Sequence, residues 1–431
     1  VTVNGLTAKG DEATATYTVK NQSADLSADL SAKTTSSNEE YFEVLCTLEK
    51  TTLKAQEETT LKVTVRLLKT PIDETKENLK TDIGVTVTAE PKQPGEENNG
   101  GSETVSNRNP YLPKGFRQVS GTTLEKGLTI QDSTGNQYVW VEVPKTKEVY
   151  PTAGLEITEF TEAEYTAIET DLHTYTSDYR SHKNGVVTKY KDEYYSDAAT
   201  GLTSAKYTEL KQKMLKSVYQ NGGFYIGKYE TGTETARTSD SALTAPTETP
   251  VIKQNAYLYN LITCSQAQTL ATTKMESGDR TTSLLFGVQW DLTLKYLEKK
   301  GTSQEDLNSN STSWGNYENN LWSITNTNLK YAVYIYSRLD SWATVTEKSK
   351  TYNCGILLST GADDSFSKMG IYDLAGNEYE WTLEYTSRTD FPCASRGGSS
   401  DSPGSSHPAS SRNNGGTTTL GDNVGFRLAL Y

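Results

Sequence analysis

Through residues 1–92, apolar and polar positions alternate with a period of two. Ala13-Thr-Ala-Thr-Tyr-Thr-Val19, Leu61-Lys-Val-Thr-Val-Arg-Leu67 and Ile83-Gly-Val-Thr-Val-Thr-Ala89 are the clearest runs. Alternation places one side chain in two on a buried face, so each run predicts a half-buried strand. Several short strands rich in Thr and Val, separated by turn residues, predict a small β-sandwich. A spacer role is expected of it.

The pattern stops at Glu90. Residues 93–108 hold Pro94, Gly95, Gly100 and Gly101 among polar residues and cannot bury a core, so they read as a flexible linker. From residue 109 onward strands and helices mix. Leu128-Thr-Ile130 and Tyr138 to Val143 predict strands around a Gly135-Asn136 turn. Residues 156–220 predict helix, with Thr158, Thr161 and Asp171 able to cap and one apolar face along Tyr207 to Tyr219. A strand is expected at Gly223 to Glu230, and helices at Ser265 to Met275 and Val288 to Lys300. Tyr331 to Tyr336 reads as strand within a Gly-, Ser- and Asn-rich remainder.

Composition narrows the function classes. The net charge of −13, without a basic block, excludes a nucleic-acid partner, because phosphate binding needs clustered Lys and Arg. Mean hydropathy is −0.64, and no apolar run is long enough to span a bilayer. Val1 already reads as strand, so the expectation is either a cytosolic protein or one whose export signal lies outside this sequence. Cys46, Cys264, Cys354 and Cys393 show no C-x-x-C spacing, and His173, His182 and His407 are too scattered for a metal cluster. Abundant Tyr, Ser, Gly and Asn is a paratope-like alphabet.

Family patterns then occur in order along the second half. Gly223-Phe-Tyr-Ile-Gly-Lys-Tyr-Glu230 resembles the F-x-I-G-K-Y-E-V-T strand of formylglycine-generating-enzyme-like domains. Leu284-Leu-Phe-Gly-Val-Gln-Trp-Asp291 stands where that family writes R-L-P-T-E-A-E-W-E. Met369-Gly-Ile-Tyr-Asp-Leu-Ala-Gly-Asn-Glu-Tyr-Glu-Trp381 is similar to its G-L-Y-D-M-x-G-N-V-W-E-W. Arg396-Gly-Gly398 and Asn423-Val-Gly-Phe-Arg427 follow. The resemblance covers residues 109–431 and implies an α+β, C-type-lectin-like domain of the formylglycine-generating-enzyme type, preceded by an all-β Ig-like sandwich. The superfamily holds oxidases and also the variable proteins of diversity-generating retroelements, so the site must decide the function.

The oxidases use two cysteines shortly after the R-G-G motif to bind copper, thiolates being soft ligands for Cu(I). No cysteine occurs from Ala394 to Tyr431, and Cys393, before the motif, reads as a small buried residue. A copper oxidase is therefore disfavoured. His407 lies among serines, but no nucleophile elbow accompanies it, and a hydrolase has no support. No catalytic residue is assigned.

The tail has a restricted alphabet. The 47 residues from Tyr385 to Tyr431 contain no Lys, Glu, Gln, Met or Trp. Low complexity is one explanation. The genetic code supplies another, since replacing the adenines of Asn codons never yields those five residues. Retroelement-diversified proteins vary Asn-codon positions around a fixed frame. On this reading Cys393, Arg396, Gly397, Gly398, Pro408, Ala409, Arg412 and Asp422 to Tyr431 are frame. The ligand-binding variable positions, within about 387–423, are Thr389, Asp390, Phe391, Ser400, Asp401, Ser402, Ser405, Ser406, His407, Ser411, Asn413, Asn414, Gly415, Gly416, Thr419, Leu420 and Gly421.

The resemblance also implies a calcium option at the G-N-x-W-E loop, with Asp373, Gly376, Glu378 and Glu380 as oxygen ligands. The alternative is that Asn377 and Glu380 hydrogen-bond the loop without metal, and no cofactor is required. Trp290, Trp314 and Trp381 read as core anchors. The expectation is a secreted or bacterial cell-surface binding protein, taking a protein or glycan ligand on another cell, a host or a phage. A fixed structural surface subunit is the other non-enzymatic alternative.

Overall fold

A computed structural model describes residues 6–23, 27–70, 81–91, 110–180, 190–238, 246–275, 280–335, 338–339, 342–344 and 349–431. The linker at 93–108 and His182 lie outside the described residues. The chain divides into two units, Val1–Tyr111 and Leu112–Tyr431.

Among the described residues, the first unit holds six strands: β1 (Glu12–Lys20), β2 (Ala28–Ser36), β3 (Phe42–Leu48), β4 (Thr52–Leu53), β5 (Glu58–Leu67) and β6 (Ile83–Pro91). They form two antiparallel three-stranded sheets, β1-β5-β3 and β4-β2-β6. Along β5, Thr59, Leu61, Val63, Val65 and Leu67 are buried while the intervening residues are more open, as the alternation requires. One cluster joins Tyr41, Phe42, Val65 and Leu67 with Val44 and Ile83, so both sheets feed a common core. Each fully buried Val or Leu there contributes about 1.5–3 kcal/mol.

The second unit is mixed α and β. A six-stranded antiparallel sheet is built from β7 (Arg117–Gln118), β8 (Thr129–Gln131), β9 (Gln137–Glu142), β11 (Gly223–Gly227), β12 (Thr282–Leu284) and β17 (Leu428–Leu430). Its order is β12-β17-β11-β9-β8-β7, so the last strand of the chain is embedded between earlier ones. Tyr225 pairs with Leu430, and Phe224, Tyr225 and Ile226 are fully buried. A second sheet contains β10 (Tyr190–Lys191), β13 (Tyr379–Thr386), β14 (Cys393–Arg396) and β15 (Arg412–Gly415) in that order. β16 (Val424–Phe426) lies parallel to β13.

The longer helices packed around these sheets, among the described residues, are α1 (Glu162–Tyr175), α2 (Ser204–Asn221), α3 (Cys264–Leu270) and α4 (Gly287–Lys299). Thr161 caps α1 in a reciprocal capping box with Glu164. Asp171, expected as a cap, sits inside α1 and accepts hydrogen bonds from the Thr152 and Ala153 amides at 3.0 and 2.8 Å. The α2 helix turns Tyr207, Leu210, Met214, Leu215, Val218 and Tyr219 inward and ends on Gly222 in the left-handed region. Helix α4 begins after Phe286, which has no side-chain oxygen to offer. Asp192 supplies the cap from far away, accepting from the Gly287 and Val288 amides at 2.6 and 2.9 Å.

Candidate ligand-binding face

The tail is held from behind by buried charge. Arg396 ends β14 and Arg412 opens β15, facing each other across the strand pair. Asp291 on α4 reaches both, at 2.7 Å from Arg396 and 2.7 Å from Arg412. Glu384 on β13 takes Arg412 Nε through both carboxylate oxygens at 3.1 Å, and Arg180 adds a 3.0 Å contact to Asp291. Arg412 donates further to the Tyr179 carbonyl at 2.6 Å. Planar guanidinium groups suit such a network because each presents several donors in a fixed fork. Beside it, Trp290 is fully buried and its indole donates to the Ala409 carbonyl at 2.9 Å. Trp314 and Trp381 are buried as well.

Gly397 and Gly398 follow Arg396 with φ of 93° and 81°, a region that side chains disfavour. A methyl group on Gly398 would come within 2.4 Å of the His407 carbonyl, so the loop after β14 folds back through a gap only glycine leaves open.

Most of the expected variable positions lie at the surface. Thr389, Asp390, Phe391, Asp401, Ser405, Ser406, Asn413 and Leu420 are exposed, and Ser402, His407, Asn414, Gly416, Thr419 and Gly421 are half-buried. Phe391 and Leu420, at 39% and 37% exposure, are large apolar groups left open. Three positions correct the expectation. Ser400 is closed off beneath the loop, its amide bonded to the Asn377 carbonyl at 2.9 Å. Ser411 is buried behind Pro408, and Gly415 lies against the Trp381 ring, where a Cβ would approach to 2.6 Å. None of the three can meet a ligand without the frame moving.

The open positions are linked locally. Gly416 donates to Thr419 Oγ1 at 2.8 Å and lies near the Asp390 carbonyl. Asn423 donates to Asp401 at 3.2 Å, tying the end of the tail to the loop after Gly398. His407 packs edge-on to Tyr379, and burial holds its imidazole pKa below the usual value. His173 instead contacts Asp192 at 3.4 Å, away from the tail.

A separate acidic pocket lies at the G-N-x-W-E loop. Asp373, Gly376 and Asn377 all have positive φ. Asn377 donates to Glu230 at 2.6 Å and the Glu378 amide donates to Glu230 at 3.1 Å. Arg427 binds both oxygens of Glu380 at 2.6–3.0 Å and also donates to the Gly227 and Tyr372 carbonyls at 2.8 Å. Asp373 accepts from the Gly361 amide at 2.7 Å. Burial and the neighbouring carboxylates raise the pKa values of Glu230 and Glu378 well above normal. Burial is the first cause for Asp373 too, which rises to about 7. Of the residues expected to ligate calcium, Glu380 is engaged by the Arg427 guanidinium and Asp373 by the Gly361 amide. Among the described residues, no three His, Cys, Asp or Glu side chains are grouped to hold a metal.

Sequence reasoning placed Arg396 and Arg412 in the frame but did not find Asp291 and Glu384 as their supports, nor Asp192 as the cap of α4 or Glu230 as the acceptor for Asn377. Only the tertiary fold joins them. Glu230 and Asp291 had a signal, each as the last residue of a family-like run, Gly223 to Glu230 and Leu284 to Asp291.

No curated protein matches the chain. Among solved structures, variable protein 1 of Treponema denticola matches at 12% identity, covering 74% of this chain and 99% of that one. The TM-score of 0.22 is too low for an argument about fold. The family match begins at residue 293, although Gly223–Gly227 is hydrogen-bonded to the last strand, so the folded unit extends upstream of it. Over residues 293–431 the chain carries a sulfatase-modifying factor enzyme 1-like domain, of the C-type-lectin-like type, bearing the exposed loops of the tail.

Proposed function

We propose that the protein is a non-catalytic binder whose tail is diversified by a retroelement to change specificity, and that it works from a bacterial surface. The observation that carries this reading is the division of the tail. Its exposed positions use only residues reachable from Asn codons, and they rest on a frame closed by Asp291, Glu384, Arg396 and Arg412. Substitution at exposed loop positions costs little stability when the supports behind them are unchanged. The ligand is a protein or glycan on another cell, a host or a phage, bound by surface complementarity. Phe391 and Leu420 are the exposed large apolar groups of the tail, and because hot spots are enriched in Trp, Tyr and Arg this copy is expected to bind weakly. The first unit serves as an Ig-like spacer in this scheme, and neither calcium nor another cofactor is needed.

Sequencing the 3′ end of the gene, its locus and sibling isolates tests the proposal. Differences confined to the exposed positions, with a nearby near-copy carrying adenines at the matching codons, are expected. An invariant tail without a near-copy would return the protein to a fixed adhesin or structural subunit.

A further inference from the structure

Cys264 and Cys393 are remote in sequence and meet in the interior. Cys264 is the first residue of α3, directly after its cap Thr263, and Cys393 opens β14. Each is almost closed to solvent, at 3% and 2% exposure. Their sulfurs lie within hydrogen-bonding reach of each other. The surrounding walls fix both: Cys264 Sγ lies 3.4 Å from the Thr382 carbonyl, and Cys393 Sγ lies 3.8 Å from the Ala199 carbonyl. Thr382 Oγ1 in turn donates to the Ala394 carbonyl at 3.2 Å, so β13, β14 and α3 converge on the pair.

We propose that Cys264 and Cys393 are a disulfide-forming pair, oxidised by exchange with an external disulfide as the chain folds. A thiolate of the pair attacks one sulfur of the external disulfide and releases the first external thiol. The second cysteine then attacks the mixed disulfide and releases the other. The protein gives up two protons and two electrons, and the external disulfide becomes two thiols. The bond closes a long loop and ties α3 to the strand that leads into Arg396-Gly-Gly398. Long loops lose most denatured-state entropy on cross-linking.

The test uses the full chain, reduced, denatured and refolded in a buffer of oxidised and reduced glutathione. It is then alkylated in denaturant and peptide-mapped by mass spectrometry without reduction. A single cross-linked pair containing Cys264 and Cys393, lighter by two hydrogens, is expected, with Cys46 and Cys354 alkylated. Adding a thiol reductant should lower the thermal midpoint by roughly 5–10 °C. The Cys46→Ser/Cys354→Ser variant should keep that shift, and the Cys264→Ala/Cys393→Ala variant should lose it. Four alkylated cysteines after oxidative refolding would overturn the proposal, as would a different pairing. So would protection of the pair that a chelator removes and a reductant does not.

Discussion

Arg412 and Asp291, 121 residues apart in sequence, are joined by a 2.7 Å ion pair in an interior that excludes water from both. The same aspartate holds Arg396 at 2.7 Å through its other oxygen. One carboxylate on α4 therefore fixes both ends of the loop that carries Asp401, Ser405 and Ser406. Buried pairs of this kind gain little over apolar packing, but breaking one strands a charge.

Replacing Asp291 with Ala should consequently cost about 3–5 kcal/mol, because Arg180, Arg396 and Arg412 would then share the single negative charge of Glu384. Asn413→Ala, on the open side of β15, should change stability by less than about 0.5 kcal/mol. Urea unfolding of the two variants beside the parent checks both. Equal costs would mean that frame and face are not separated.

Gly398→Ala should destabilise the protein by about 1–3 kcal/mol, combining a strained positive φ with the overlap on the His407 carbonyl. At Gly121, also with positive φ but with open space around it, the same change should cost only the backbone strain. Comparing the two by thermal unfolding separates the contributions. Equal losses would rule out the close approach as a determinant.

What the sequence revealed follows the range of each interaction. The alternation along Glu58–Leu67 and the cap of α1 by Thr161 are local, and both were readable. The start of α4 was misplaced by only a residue, but its cap could not be foreseen, since Asp192 arrives from 95 residues earlier. Arg396 and Arg412 were recognisable as frame from the motif and the alphabet. The burial of Ser400, Ser411 and Gly415 was not, because it depends on Asn377, Pro408 and Trp381 closing over them. The meeting of Cys264 and Cys393 left no mark in their spacing.

The acidic pocket predicts a pH dependence of definite sign. Glu230, Asp373 and Glu378 have raised folded-state pKa values, so the folded chain keeps protons that the unfolded chain has released. Their contribution is fully present below the unfolded values near 4 and is lost as pH rises through the folded values, about 7 for Asp373. Glu378 has both carboxylate oxygens buried without a hydrogen-bond partner. Glu378→Val, the residue of the family motif, should stabilise the protein by about 1–3 kcal/mol at pH 8 and by less at pH 4.5. Taking variant against parent at each pH cancels the opposite contribution of Asp192, whose pKa is lowered. A gain that does not change with pH would show that Glu378 is not coupled to the pocket's protons.

Arg427 and calcium would compete for Glu380, and this gives the last prediction. Arg427 already binds both oxygens of Glu380, and its charge offsets part of the burial that raises the pKa of Asp373. A divalent ion would have to displace a bidentate guanidinium that also anchors the Gly227 and Tyr372 carbonyls. Adding a chelator or millimolar calcium should therefore leave the thermal midpoint unchanged within about 1 °C, whereas a ligand bound at a hundred times its Kd would add about 2.7 kcal/mol. Arg427→Met should cost about 3–5 kcal/mol, because it leaves Glu380 buried without its partner. Calcium should restore part of that loss only if Asp373 and Glu380 can then ligate it. A calcium-dependent rise in the parent protein would reinstate the metal and displace Arg427 from the role assigned to it.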